Sequence, residues 1–299
     1  MTMVGIIPGN IRLTGSADSG TDAASEYISR VAHGAAGQRR MVQTPKMVDS
    51  DMSTQIVPRF PELSLEEFDA DYRQAEIENL DKLRNIIPEF ESVAEMVPSM
   101  HFGYFTGEPV SVLDIGCGTG TLPFHLAQRN PAATVIGVDI SEESIAYARE
   151  HYEPRAANLS YEVGSVEDLH GRFREIDMIT CVGALHHFPD LDSAVHQITQ
   201  TLGDDGAFFL SDLNRENIHA HFSAKELKYL DSVRRLPEKV RNNKLRRQGY
   251  TKGQKVRRFL TLMSFQAAYT PAEVSAALGL HYGFKGRMAG VDYVLVAYK

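Results

Sequence analysis

Gly116, Gly118 and Gly120 stand within five residues, directly behind the run Val112-Leu113-Asp114-Ile115. Glycines at that spacing, between a strand and a helix, let backbone come close to a ligand because no side chain fills the space. The first turn of the helix adds oriented N–H donors. The dinucleotide pattern G-x-G-x-x-G needs a glycine three positions after its second, and that position is Thr121. The pattern here is G-x-G-x-G, which departs from the nicotinamide form. A tight turn without a ligand is the plainer alternative, although a plain connection has no need of three glycines so close together. Asp139 ends the run Thr134-Val135-Ile136-Gly137-Val138, 23 residues after Gly116, where the next strand of a βαβ unit delivers a side chain to the same edge. A carboxylate there can accept hydrogen bonds from both hydroxyls of a ribose. Ile140 beside it can pack on an adenine, and Ser141 suits the N-cap of the following helix.

A third group lies in Cys181-Val182-Gly183-Ala184-Leu185-His186-His187-Phe188-Pro189-Asp190, after a strand whose carboxyl end faces the same crevice. A neutral imidazole can take a proton from a hydroxyl, amine or carbon acid. His186 is the candidate general base or orienting group, ahead of His187; the alternative is that both only cap the strand. No spaced third ligand accompanies the pair, so no metal is assigned. Cys117 and Cys181, the only two cysteines, suggest neither a disulfide framework nor a metal site, and a reducing compartment fits.

These groups must be held by alternating strands and helices. Short apolar runs read as strands at 110–115, 134–139, 159–163, 176–182 and 206–212, with helices starting near Gly120, Glu142, Glu167 and Leu191. That is the signature of βαβ units and a mostly parallel sheet. Upstream, Ser64 with Glu67 forms a capping box, and Leu65, Phe68, Tyr72, Ala75, Leu80 and Leu83 follow at roughly helical spacing. Tyr72, Tyr104 and Phe105 are either ligand contacts or core. Downstream, Leu227, Leu230, Val233, Leu236, Val240 and Leu245 form a helical stripe among basic residues. Thr270, Pro271 and Glu273 then supply an N-cap, a first-turn proline and a reciprocal glutamate before a helix to Leu278, and 293–298 closes the chain as a strand.

Val112-Leu113-Asp114-Ile115-Gly116-Cys117-Gly118-Thr119-Gly120 resembles the first motif of the class I S-adenosylmethionine-dependent methyltransferases. Leu185-His186-His187-Phe188-Pro189 is similar to a segment of their ubiquinone-biosynthesis-type and related small-molecule members (methyltransferase types 11 and 12). The resemblance covers roughly 110–299, interrupted by the basic insert. It implies an α/β fold: a Rossmann-like, seven-stranded, mostly parallel sheet with helices on both faces, plus an N-terminal helical cover and a helical lid insert. The domains expected are a flexible extension (1–60), the cover (61–105), the cofactor-binding core (106–222), the basic lid (223–265) and a C-terminal helix with closing strands (266–299). S-adenosyl-L-methionine is the implied cofactor and S-adenosyl-L-homocysteine the product. The loop residues Gly116, Cys117, Gly118 and Gly120 would contact the methionine part, and Asp139 and Ile140 the ribose and adenine. Asp114 would order the loop amides from beneath and reach the cofactor through water. Ser165 stands where the family usually has an acid for the adenine amino group, so the main chain of Ser165 and Val166 is expected there, ahead of Glu167 or Asp168. Carbonyls at Val182 and Gly183 would hold the methionine ammonium.

The expected function is methyl transfer to oxygen, nitrogen or carbon of a small molecule, such as a secondary metabolite, lipid or quinone precursor. The rivals are a non-catalytic cofactor-binding regulator or scaffold, and an RNA or protein methyltransferase. The formal charge of −8 argues against a generally basic nucleic-acid binder. Residues 223–258 nevertheless hold thirteen Lys/Arg against three acids, a net of +10; with the +1 on residues 259–299, this leaves −19 on residues 1–222. That segment can attract an acidic small molecule, RNA or an anionic membrane, or pair with the acidic body across a lid or a subunit contact; the last is favoured, with a homo-oligomer through the lid or N-terminal helices as its corollary. Only Tyr229 and Tyr250 offer stacking rings, which weakens the RNA option. No apolar run of transmembrane length and no secretory signal is read, so a cytoplasmic location is expected.

Overall fold

A computed structural model describes residues 58–60, 110–249, 253–279, 281–288 and 291–299. The helical cover expected over 61–105, with Tyr72, Tyr104 and Phe105, and the extension up to residue 57 lie outside the described residues.

The core is a Rossmann-like α/β unit. Its strands are β1 (Ser111–Ile115), β2 (Thr134–Asp139), β3 (Leu159–Val163), β4 (Ile176–Val182), β5 (Leu202–Asp212), β6 (His281–Met288) and β7 (Val291–Tyr298). They run in the order β3-β2-β1-β4-β5-β7-β6. The first five are parallel, and the closing hairpin is antiparallel, with β7 paired to β5 and β6 to β7. The chain therefore winds outward from β1 in one direction and from β4 in the other, which opens a crevice at the carboxyl ends of those two strands. The crossovers are α1 (Thr121–Arg129), α2 (Glu142–His151), the short α3 (Leu169–Arg172) and α4 (Leu191–Thr201).

Side chains alternate across each strand and build two apolar layers. On one face Leu113, Ile115, Ile179, Phe208 and Leu210 pack with Leu169, Val195, Ile198 and Val274. On the other, Val112, Val135, Met178 and Phe209 pack with Leu122, Phe124, Leu126 and Ile145. Burial on both faces explains why the parallel strands read as near-continuous apolar runs. β5 begins four residues before the expected Gly206, because an irregular start, shifted in register opposite β4, already pairs Leu202 with Ile176.

The chain after β5 forms α5 (Ile218–His221), α6 (Ala224–Arg234), α7 (Glu238–Arg247) and α8 (Gly253–Ala267), followed by α9 (Pro271–Leu278). Leu213, Phe222, Leu230, Val233, Leu245, Phe259, Leu262 and Phe265 make a third apolar cluster, so these helices carry their own core. The expected stripe fails at Val240, which is 52% exposed. Pro237 separates α6 from α7 and breaks the helical phase between them. The basic segment pairs within itself: Arg258 Nε lies 2.5 Å from Glu226 Oε1, while Arg258 and Lys244 also sit over the rings of Phe222 and Tyr229. Ser223 and Glu226 cap α6 reciprocally, and Thr270, Pro271 and Glu273 start α9 in the expected way. Among the described residues no helix is long and apolar enough to cross a membrane, and no group of three His, Cys, Asp or Glu is placed to hold a metal ion.

Hydrogen bonding from Arg258 holds the Glu226 carboxyl down at about 2, with the Ser223 donors acting in the same direction. The folded pKa lies below that of the unfolded chain, so the stabilisation is complete above roughly pH 4.3 and is lost as pH falls toward 2. The pair is largely solvent-screened. Glu226→Gln should therefore lower stability by only about 0.3–0.5 kcal/mol at pH 7 in urea unfolding, with the deficit closing in acid; an equal deficit at both pH extremes would refute the linkage.

Candidate active site

Gly116, Gly118 and Gly120 all have positive φ, at 68°, 55° and 87°, a region that L side chains avoid. The need for glycine is partly internal. A Cβ on Gly116 would lie 2.4 Å from the Cβ of Ala184, and one on Gly120 would meet the Tyr161 ring at 2.6 Å and Ala148 at 2.7 Å. Tyr161, buried on β3, fills the space beneath the loop, and its hydroxyl donates to the Gly120 carbonyl at 2.6 Å. Burial pushes its phenol pKa up, so it stays a donor. The sequence reading assigned Tyr161 no part, since a tyrosine in a strand signals ordinary core; its partnership with two glycines, Gly120 and Gly137, exists only in the fold.

The loop amides are fastened from β2. Gly116 and Cys117 N–H groups both donate to Val138 O, at 2.8 and 3.1 Å, and Gly120 N–H donates to Cys117 O at 3.1 Å. Gly118 N–H donates to Asp139 Oδ2 at 2.8 Å, while Asp139 Oδ1 accepts the Ser141 amide at 2.9 Å. Val138 and Asp139 thus order three of the loop's amides. Asp114 is buried beside β4 and accepts the Thr180 hydroxyl at 2.6 Å. Cys117 likewise turns inward, its side chain in the apolar layer under the loop.

Asp139 thus joins the loop to the start of α2. Ile140 next to it is 61% exposed and Val163, opposite Asp139 in the sheet, is 38% exposed. Two exposed aliphatic side chains flanking a buried carboxylate make an apolar shelf beside a polar anchor, suited to a nucleoside. Ser165 caps the short 3₁₀ turn Val166–Asp168 and spends its own N–H on Asp168 Oδ1 at 3.1 Å, which narrows the expected adenine contact to Val166. No side chain caps α1, in contrast to Ser141 on α2, Asp190 on α4 and Thr270 on α9. Its start directly follows the glycine loop, and there the helix dipole favours negative charge.

The opposite wall is the turn after β4. Gly183 (φ 63°) swings the chain out of the strand directly after Val182, its N–H donating to Ser211 O at 2.7 Å. The 3₁₀ turn Leu185–His187 follows. His186 is 2% exposed. Its Nδ1 lies 2.7 Å from Asp212 Oδ1, and its backbone N–H donates to Asp212 Oδ2 at 3.0 Å. The carboxylate fixes the imidazole tautomer with the proton on Nδ1 and the basic lone pair on Nε2. His187 is more exposed and tilts against His186, ring centroids 4.0 Å apart. Asp212 was missing from the sequence reading; the available signal was an Asp ending the apolar strand next to β4, the same placement that singled out Asp139. Burial first, and then the Asp212 charge, raises the Cys181 thiol and the Tyr293 phenol, so Cys181 is no nucleophile.

A family model described as a methyltransferase domain matches residues 107–262. The ubiquinone biosynthesis O-methyltransferase of Azoarcus sp. (strain BH72) is 38% identical over 115 residues, covering 38% of this chain and 48% of that enzyme. Its namesake from Coxiella burnetii (strain Dugway 5J108-111) is 36% identical over 104 residues, 35% of this chain and 44% of that enzyme. The chain spans about half the length of these curated relatives. Among solved structures, the plantazolicin methyltransferase BpumL in complex with S-adenosylhomocysteine (SAH) superposes with a TM-score of 0.53 at 18% identity, over 77% of this chain and 91% of that one. BpumL with a triazolic desmethyl-plantazolicin analogue and SAH gives 0.51 at 21% identity, over 70% and 69%. These two carry the fold.

Removing the Tyr161 hydroxyl isolates one bond under the loop. Tyr161→Phe should destabilise the chain by about 1–2 kcal/mol, the cost of an unsatisfied buried carbonyl at Gly120, and lower the melting temperature accordingly. An unchanged melt would show that the bond does not hold the loop.

Proposed function

The chain belongs to the methyltransferase-domain family, and we propose that it transfers a methyl group from S-adenosyl-L-methionine to oxygen, nitrogen or carbon of a small-molecule acceptor, leaving S-adenosyl-L-homocysteine. The observation that carries the reading is the Gly116–Ala184 contact. It sets the glycine loop directly against the turn that bears His186, which Asp212 of β5 holds, so a cofactor held by one and an acceptor held by the other would meet in a single crevice. The curated relatives, named for an O-methylation in ubiquinone biosynthesis, support a small acceptor.

When bound, the cofactor supplies a methyl group already activated on a sulfonium, so the protein's work is to align, exclude water and manage a proton. The Gly116–Gly120 backbone and the open start of α1 would hold the methionine carboxylate end. The carbonyls of Val182 and Gly183 would accept its ammonium, and Asp139, at the carboxyl end of β2, would face the ribose hydroxyls. Ile140, Val163 and the Val166 main chain would receive the adenine. On the acceptor side, His186 Nε2 takes the acceptor's proton as the new bond to the methyl carbon forms, and Asp212 stabilises the resulting imidazolium. The helices of residues 223–265 would close over the acceptor as a lid, and their excess of positive charge suits an acidic acceptor.

Calorimetric titration should show binding of S-adenosylmethionine and none of NADH; the reverse preference would overturn the cofactor assignment. Asp139→Ala should weaken that binding by about 1–3 kcal/mol, or about five- to 150-fold in Kd. Incubation with metabolite fractions and a labelled methyl donor should transfer label to a small molecule. His186→Gln and Asp212→Asn should each reduce that transfer about 10²-fold or more while leaving cofactor affinity within about twofold. Tight binding with no label transferred to any fraction would favour a non-catalytic role.

A further inference from the structure

Pro58-Arg59-Phe60 lies against three other parts of the chain. Arg59 Nε donates to Ala267 O at 2.7 Å and Nη2 to Phe188 O at 3.0 Å, so one planar guanidinium bridges the end of α8 and the turn that carries His186. The same guanidinium lies 3.9 Å from the centroid of the Tyr269 ring. The Tyr269 hydroxyl donates to the same Phe188 carbonyl at 2.8 Å. Phe60 N–H donates to Gln266 O at 3.1 Å, and Arg234 of α6 donates to the Gln266 side chain at 3.1 Å while sitting 5.1 Å over the Phe60 ring. The segment is anchored by both main chain and side chains, although its composition reads as part of a loose extension.

The turn at 185–188 is therefore held at two ends. At its start Asp212 grips the His186 amide and ring; at its finish Phe188 O receives two donors from outside the turn, Arg59 and Tyr269. Between them the turn closes on itself, His187 N–H donating to Ala184 O and Phe188 N–H to Leu185 O. We infer that Arg59 is a positioning residue for the acceptor side of the site: by bridging Phe188 and Ala267 it fixes the far end of the turn and so the direction of the His186 imidazole. The inference rests on the role proposed for His186 above. Arginine is the residue for this task, because a planar fork can reach two diverging carbonyls while one face stacks on a ring; an ammonium lacks that geometry.

The full chain is compared as wild type, Arg59→Ala, Arg59→Gln and Arg59→Lys by amide hydrogen exchange and by NMR of labelled histidine, with the His186 signals assigned by difference from His186→Gln. Arg59→Ala and Arg59→Gln should raise exchange at the His187 and Phe188 amides about tenfold relative to the β1 and β4 amides, and should shift or broaden the His186 ring resonances. Arg59→Lys should not restore the wild-type signals, and Tyr269→Phe should move exchange in the same direction to a smaller extent. Unchanged exchange and unchanged His186 signals in both Arg59→Ala and Arg59→Gln, or full rescue by Arg59→Lys, would overturn the inference. These measurements are made without ligand. A failed titration of the wild type with S-adenosylmethionine would thus strike the cofactor reading alone and leave the role of Arg59 decided by exchange.

Discussion

Two buried carboxylates hold the site together, and they do so by the same device. Asp139 ends β2 and grips the loop that follows β1; Asp212 ends β5 and grips the turn that follows β4. Since the sheet runs β2-β1-β4-β5 through its middle, each outer strand reaches inward across one neighbour and fastens the segment leaving it. A buried carboxylate is costly unless its lone pairs are satisfied. Here backbone N–H groups satisfy it on both sides, Gly118 and Ser141 for Asp139, and His186 and Leu213 for Asp212. Stability and site geometry are thereby the same set of bonds: neither carboxylate can leave its role without leaving amides unpaired.

The glycine loop shows the same economy. Its conformation is fixed from beneath by Tyr161, from the side by Val138 and against the next turn by Ala184, so neighbours on two strands and one turn set its shape.

Much of this was legible in the residues. The parallel strands announced themselves through two-sided burial, and four of the five strands match the structure to within a residue at both ends, because a buried parallel strand has no solvent face to blur its apolar run. The caps at Ser141 and Thr270 were legible because a cap is a local hydrogen bond. What escaped was non-local. Asp212 is one strand-end Asp among several until β4 and β5 are known to be neighbours. The bond from Gly118 N–H to Asp139 Oδ2 joins residues on different strand–loop units, so spacing along the chain does not show it. Val240 left the helical stripe because a single proline resets the phase, and the Arg59 bonds reach Phe188 and Ala267, 129 and 208 positions away, which no local pattern shows.

The touch between Gly116 and Ala184 has a meaning for divergence. A Cβ at 116 has no room, and Ala184 already spends the space that remains, so position 184 has no size to grow into without displacing the loop. The inner wall of the crevice is therefore frozen in both halves at once. The helices after β5 hold a separate core, and can therefore be reshaped while the sheet and its two carboxylates stay as they are.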